Sequence, residues 1–386
     1  MTVYLDHNAT TPVRPEVVDA MLPWLREGYG NPNSPYALGQ KARAAVERAR
    51  EQVAALVGAA DASEIVFTSC GSESDVLAIA GAAWQAHDES KGARRRVVTS
   101  KIEHDAVRLL AGQLRRRGFE VLEAGCSPDG IVDAAELAKL CGDGASVLSL
   151  MHANNETGVL QDVRAAAAAA KACGALFHVD AVQSAGKAEL NVVADGVDLL
   201  AISGHKVNAP KGVGALYVRR GVRLSPVVTG HQEKNRRGGT ENTASIVGFG
   251  VAADLARREL KSAIAHSRAL RDRLEAGVLA LKGVRRNGHP DKRLPNTAHF
   301  SFDGLDGHHL AVALDLEGIC VSAGPACSTG ASAPSHVLTA MGVPAERATG
   351  SLRVSVGWGS TDADVDKFLA VLPKAVEKLR AVGAAA

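Results

Sequence analysis

Val197-Asp198-Leu199-Leu200-Ala201-Ile202-Ser203-Gly204-His205-Lys206 decides how this chain is read. Its first six residues form an apolar run of strand length, the pattern of a buried strand. The run ends in a hydroxyl, a glycine, an imidazole and a lysine. Groups just past the carboxyl end of a buried strand stand where α/β proteins keep their ligands. Upstream, Ala175-Leu176-Phe177-His178-Val179 repeats the pattern and ends in Asp180, with Gln183 three residues on.

Further upstream the pattern recurs three times. Ile65-Val66-Phe67-Thr68-Ser69 leads into Cys70-Gly71-Ser72-Glu73-Ser74 and then a helical segment, Asp75 to Trp84. A Gly-Ser turn opening a helix suits a phosphate, although Ser72 serves equally as a helix N-cap. Val97-Val98-Thr99-Ser100 ends just before Glu103-His104, where His104 is either a structural histidine or a ring stacked on a cofactor. Val147-Leu148-Ser149-Leu150-Met151 runs into His152-Ala153-Asn154-Asn155-Glu156-Thr157-Gly158. With helical stretches between most of these strands, the expected fold is α/β, a mostly parallel, helix-covered sheet. Five strand ends then bring polar groups to one edge. An aspartate able to hold a protonated pyridine nitrogen and a lysine able to condense with an aldehyde are the protein groups that pyridoxal phosphate requires. Asp180 and Lys206 make that cofactor the expectation.

Bulk properties narrow the class. The 386 residues suggest two or three domains. A net charge of +2, with only the short basic runs 94–96 and 115–117, argues against nucleic acid. Those runs read as solvated helix ends or turns. No apolar span reaches the roughly 18 residues of a membrane helix, and the first residues lack the pattern of a signal peptide. Six cysteines without CxxC or zinc-type spacing are expected to be reduced thiols in the cytoplasm, most of them small core residues, Cys173 and Cys320 among them.

At the N-terminus, Leu5 to Pro12 reads as a short strand and a turn, either structural or part of the site. Helices are expected from Pro15 to Leu25 and from Gly39 to Val57, stopping at Gly58. Thr240 is either a helix cap or a phosphate contact ahead of a helix starting near Thr243. Leu260, Ile264, Leu270, Leu274, Val278 and Leu281 mark one face of a long helix ending at Gly283. Residues 284–386 look like a smaller α+β unit. Ala298 to Phe302 alternates like a half-exposed strand, and the last six residues look frayed. Arg353, alone in an apolar strand, is either a carboxylate clamp or half of an internal salt bridge. Cys327 sits mid-way in a stretch of Gly, Ala, Ser and Pro at 321–334 with almost nothing to anchor a core, and a loop of that length has a function or is disordered.

Phe67 to Asp75, Ala153 to Gly158, Phe177 to Gln183, Ser203 to Lys206, Arg236 to Asn242 and Leu5 to Pro12 together resemble the cysteine desulfurases, nearest the NifS type. The resemblance covers nearly the whole chain. It implies the pyridoxal-phosphate fold type I, with residues 1–15 joining a small domain, 16–258 the large cofactor domain, and 259–386 the small domain. It implies that Lys206 binds the cofactor covalently and that Asp180 holds its ring nitrogen. Gln183 and Asn155 would face the phenolic oxygen and His104 the ring. Gly71, Ser72, Ser203, His205 and, across a homodimer, Thr240 would take the phosphate. Arg353, with Asn155, would bind the substrate, L-cysteine, and Cys327 would receive its sulfur as a persulfide. An iron-sulfur scaffold of the NifU kind would accept the sulfur, for nitrogenase or for housekeeping clusters. No resident metal is implied, beyond a nascent cluster that the Cys327 persulfide would ligate transiently.

The chain departs from the family at Ser322-Ala323-Gly324-Pro325-Ala326-Cys327, where Pro325 stiffens the approach to the cysteine. It departs also at Ser72, where relatives often carry Thr, and at Lys234-Asn235. Three other readings stand beside this one. Another fold type I enzyme, an aminotransferase or selenocysteine lyase, shares Lys206 and Asp180, though an aminotransferase has no need of Cys327. A sulfur carrier would need clustered cysteines. A thiol hydrolase leaves Lys206 and Asp180 without a role.

Overall fold

Apolar residues alternate along the central strands, and the two sets separate cleanly. Ile65, Phe67, Val98, Leu148, Phe177, Leu200 and Ile202 enter one core, and Val66, Val97, Val147, Leu199 and Leu216 enter another. A sheet buried on both faces needs both sets apolar, which is why these strands read as continuous runs. The computed structural model describes residues 2–323 and 334–385, with the backbone alone for 382–385. Cys327 lies outside the described residues.

The chain begins with β1 (Val3–Tyr4), α1 (Pro15–Arg26), α2 (Ala37–Val57), β2 (Ile65–Thr68) and α3 (Gly71–Glu89). It continues through β3 (Arg96–Ser100), α4 (Asp105–Arg116), β4 (Glu120–Ala124), α5 (Ala134–Cys141), β5 (Ala145–Met151) and α6 (Val163–Ala172). β6 (Leu176–Asp180), β7 (Leu199–Ser203) and β8 (Gly214–Val218) complete the large sheet, and α7 (Gln232–Asn235) and α8 (Thr243–Leu279) follow. The remainder is β9 (Val284–Arg286), β10 (Thr297–Phe302), α9 (Gly307–Leu316), β11 (Ile319–Cys320), α10 (His336–Ala340), α11 (Ala345–Thr349), β12 (Ser351–Ser355) and α12 (Asp362–Ala385).

The seven strands of the large sheet lie in the order β2-β8-β7-β6-β5-β3-β4. β8 runs against both β7 and β2, while the remaining neighbours are parallel. Reversing β8 leaves β2 pointing the same way as β7, so six of the seven strands deliver their carboxyl ends to one edge. α2, α5, α6 and α8 cover one face, and α3 and α4 the other. A further core joins β1, the end of α8, β10, β12 and α12 through Val3, Leu274, Phe300, Leu352 and Phe368. Burying Phe300 alone contributes roughly 1.5–3 kcal/mol.

α8 spans 37 residues, about 55 Å at 1.5 Å per residue. It is buried through Leu255 against the large sheet and again from Ser267 onward, and no residue from Arg257 to His266 is buried. The two helices expected after Thr240 are therefore one, and it stops at Leu279 rather than Gly283. Asn242, not Thr240, caps it, accepting the Ser245 N–H at 3.3 Å.

Other expectations give way for identifiable reasons. α3 starts at Gly71 rather than Asp75, and its cap is Cys70, whose Sγ accepts the Glu73 N–H at 3.4 Å, not Ser72. β10 is buried along its whole length because it lies between β9 and β12. Its polar face is satisfied internally, as by Asn287 Nδ2 against His299 Nδ1 at 3.0 Å and Ser301 Oγ at 2.9 Å. The final residues continue α12 to Ala385. Among the described cysteines only Cys141 is buried; Cys320 lies 3.9 Å from Asp315 Oδ1. Arg94 does not end in solvent, since its Nη2 caps the carbonyls of Ala145 and Gly174. α2 stops where expected, with Gly58 left-handed at φ 70°.

Helices α2 and α8 approach so closely that a Cβ on Gly250 would sit 2.6 Å from Ala49 Cα. Alanine is the better helix former by about 1 kcal/mol, but overpacking costs about 1–3 kcal/mol. Gly250→Ala is therefore expected to lower the urea midpoint, and an unchanged or raised midpoint would show that the two helices separate freely.

Candidate active site

Each strand end supplies part of one site. Past β7, Gly204–Lys206 turns once as a 3-10 helix, and Lys206 Nζ donates to the carbonyls of Asn8 at 2.5 Å and Ala9 at 2.8 Å. The N-terminal turn thus belongs to the site. It is pinned by Thr11, whose N–H and Oγ1 both donate to the His205 carbonyl, and by the 3.1 Å pair of Thr10 Oγ1 and His205 Nδ1. Burial, then the nearby Arg353 charge, brings Lys206 down to about 8, so its neutral, nucleophilic amine is reached at mild pH.

β6 ends at Asp180, whose Oδ1 accepts the Val182 N–H at 2.9 Å. Burial raises its pKa, while His104, that N–H and Lys206 oppose the rise. Gln183 donates Nε2 to the Asn8 carbonyl at 2.9 Å. His104, exposed at the start of α4, accepts the Ala106 N–H at 3.1 Å through Nδ1. Past β5, Asn155 keeps a buried Oδ1 without a hydrogen-bond partner.

β2 and β7 together bring the N-terminus of α3 beside a buried hydroxyl. Ser203 is buried and its Oγ has no partner. It faces the first turn of α3, where a Cβ on Gly71 would meet Val182 Cγ2 at 2.7 Å and Ser203 Cβ at 3.3 Å. The opening N–H groups of a 19-residue helix lack intrahelical partners and carry its positive dipole end. An orphan hydroxyl beside them fits a phosphate, and Ser72 is exposed in the same turn. Thr240 is exposed on the loop leading to α8, and that loop is fastened to α3 by Arg237, whose Nε meets Glu73 Oε1 at 2.8 Å.

For Arg353 the internal salt bridge is what the structure contains. Nη2 meets Asp6 Oδ1 at 2.8 Å and Nη1 donates to the Asn155 carbonyl at 2.9 Å. Its buried Nε has no partner.

A family model for class-V aminotransferases matches residues 3–368. The chain is 47% identical to cysteine desulfurase 2 of Trichormus variabilis, over 98% of this chain and 94% of that protein. It is 44% identical to cysteine desulfurase IscS of Methanosarcina thermophila, over 98% and 93%. A solved NifS-like protein superposes with a TM-score of 0.90 at 37% identity, covering 98% of this chain and 99% of that one. The chain belongs to the cysteine desulfurases of the class-V aminotransferase family. Members of this family depend on pyridoxal phosphate, and the orphan Ser203 hydroxyl, the Gly71 cradle, buried Asp180 and the Lys206 amine fit that cofactor.

Sequence reasoning missed two parts of this cysteine desulfurase's site. Asn8 is a hub: besides the Lys206 and Gln183 bonds to its carbonyl, its Nδ2 donates to Thr297 Oγ1 at 2.9 Å. A single asparagine in a turn gives no signal of that. Lys187 donates to Gln183 Oε1 at 3.2 Å, and burial, Lys206 and Arg353 press it down to about 7. It keeps part of its surface toward a cavity of about 380 Å³ behind Lys206, lined also by Leu255, His266 and Trp358. A lone lysine among small residues carries no periodic signature.

Glu103 accepts Ser100 Oγ at 2.6 Å and the Met151 N–H at 3.1 Å, and burial raises it to about 8. A carboxyl whose pKa is raised on folding holds more protons folded than unfolded. It therefore withdraws stability as pH climbs from about 4.5 to about 8. Glu103→Gln is expected to gain in melting temperature over the parent progressively across that window, and a pH-independent difference between the two would refute the raised value.

Proposed function

We propose that this enzyme removes sulfur from L-cysteine, releases L-alanine, and delivers the sulfur from Cys327 to iron-sulfur cluster assembly in the cytoplasm, nitrogenase maturation included. The observation that carries the reading is the depressed Lys206 amine at the same sheet edge as buried Asp180 and the empty-handed Ser203 hydroxyl. Lys206 would hold the cofactor's aldehyde carbon, Asp180 its ring nitrogen, Gln183 and Asn155 its phenolic side, and His104 its face. Gly71, Ser72, Ser203 and His205 would hold its phosphate, joined by Thr240 of the partner subunit in a homodimer. When bound, the cofactor supplies an electron sink at the substrate's α-carbon.

Arg353 would take the substrate carboxylate alongside Asp6, through the Nε that lacks a partner. The Lys206 amine, losing its proton near pH 8, would move protons on the substrate's carbon skeleton. Cys327 acts as thiolate, the nucleophilic form. It forms an S–S bond to the substrate sulfur as the Cβ–S bond breaks. The carbon skeleton keeps that bond's electron pair, takes up a proton and leaves as alanine, and a persulfide stays on Cys327. An acceptor thiol or scaffold then takes the outer sulfur. Both NifS and IscS names occur among the similar proteins, so the same chemistry would feed a dedicated or a general scaffold.

With L-cysteine and a reductant, alanine and sulfide should appear in equal amounts, and Cys327→Ala should abolish both. Undiminished release by Cys327→Ala would point to a lyase that needs no thiol. Lys206→Ala is expected to lose the visible absorbance of bound cofactor on gel filtration, and retention of that absorbance would remove Lys206 from its role.

A further inference from the structure

His178 stands two residues before Asp180 on β6, so their side chains leave the strand on the same face. It pairs in register with Ser149 of β5, and the Ser149 Oγ lies 2.9 Å from His178 Nδ1. On its other side His178 Nε2 lies 3.4 Å from Oδ1 of Asp75, on the second turn of α3. Ser149, His178 and Asp75 are buried to within 1%. Neither Asp75 Oδ1 nor His178 Nε2 has a hydrogen-bond partner elsewhere among the described residues. Two enclosed polar atoms therefore have only each other.

Two proton placements are available to them. Asp75 can be a carboxylate accepting from Nε2–H, with Ser149 donating to Nδ1. Or it can be a carboxylic acid donating to a bare Nε2, with Nδ1–H donating to Ser149. The groups facing Asp75 decide between them. Burial above all disfavours its anion, and Asp180 from the end of β6, Glu103 from beyond β3 and Cys70 at the start of α3 add to it. His178 offers no charge to offset them, since burial holds it neutral, down at about 3. His104 and Lys206 favour the anion of Asp180 instead.

We infer that Asp75 is a positioning residue for the cofactor, a buried carboxylic acid that donates to His178 and so leaves Asp180 as the ionised member of the two. Like charges crowded in one buried place cannot both persist, and one of the two carboxyls must keep its proton. A ring nitrogen that is to stay protonated needs that one to be Asp75. With Asp75 protonated, the bare Nε2 of His178 accepts from it and Nδ1–H donates to Ser149 Oγ, so the 2.9 Å bond to Ser149 holds the ring in place. The inference rests on the role proposed for Asp180.

The test compares Asp75→Asn, Asp75→Ala and Asp180→Asn by titrating cofactor-stripped protein with pyridoxal phosphate at pH 7.5, and by following unfolding from pH 5 to 8. Asparagine is neutral and donates as the acid does, so Asp75→Asn should bind cofactor within about threefold of the parent. Asp75→Ala, which leaves Nε2 bare, should bind at least tenfold more weakly. Asp75→Asn should also gain in melting temperature over the parent as pH rises, because the parent folds with a proton that its unfolded chain lacks. If Asp75→Asn weakens binding as much as Asp180→Asn, or its stability gain does not grow with pH, Asp75 is an anion and the inference fails. Equal binding by all three Asp75 side chains makes it filler and fails it too. Should Asp75→Ala not fold, the asparagine variant decides alone. If Asp180→Asn binds as the parent does, the role of Asp180 falls, while the pH series still reports whether Asp75 holds its proton.

Discussion

The carbonyl oxygen of Asn8 accepts from both Lys206 Nζ and Gln183 Nε2, and much of the molecule is arranged around that shared acceptor. Through its N–H to Ser355 Oγ, its Nδ2 to Thr297 and its Oδ1 from Asn296, the same residue is bound to β12, β10 and the turn before β10. One buried residue thus joins the edge of the large sheet to the smaller core, its backbone holding Lys206, Gln183 and Ser355 and its side chain holding Thr297 and Asn296. Its side chain cannot be exchanged cheaply, because removing it leaves the buried Thr297 Oγ1 and Asn296 Nδ2 each short of a partner.

Around this hub the charges are few and opposed. Lys206, Lys187 and Arg353 press on one another from the side of the N-terminal turn. Asp180, Asp75 and Glu103 crowd on the side of the sheet. Burial disfavours ionisation on both sides, and like neighbours add to it. The result is a site in which the lysines give up protons readily and not all of the crowded acids can ionise at once, suited to proton transfer near neutrality. Asp6 and Arg353 form a salt bridge that ties the N-terminal turn to β12, so the guanidinium is already held in orientation.

Rigidity comes from the cores rather than from the site. α8 is seated in the large-sheet core at one end and in the smaller core at the other, with a solvent-facing middle. The loop before it is fixed differently. Glu233, Lys234 and Asn235 all adopt left-handed backbone, held where Arg50 meets Glu233 at 2.7 Å and donates to the Ile65 carbonyl at 2.7 Å. That buried pair offsets a local backbone cost of about 1 kcal/mol or more per residue. It also fixes the stem of the segment carrying Thr240.

Period and composition determined much on their own. Runs such as Leu199 to Ile202 could only be strands buried on both faces, and their polar terminators, Asp180 and Ser203 to Lys206, could only gather at one edge of a parallel sheet. Local signals set the first helix at Pro15 and the end of α2 at Gly58. Other features depended on what lies across the fold. β10 alternates like a half-exposed strand, yet β9, β12 and Asn287 enclose it. Ser72 looks like a cap, yet the Cys70 sulfur reaches the amide first. Arg353 was a choice between two partners until Asp6 arrived from 347 residues away. Lys187 and Asn8 left no trace in the pattern, because a hydrogen-bond hub is defined by partners distant in sequence, and the sequence specifies which groups are present while only the tertiary structure specifies which of them meet.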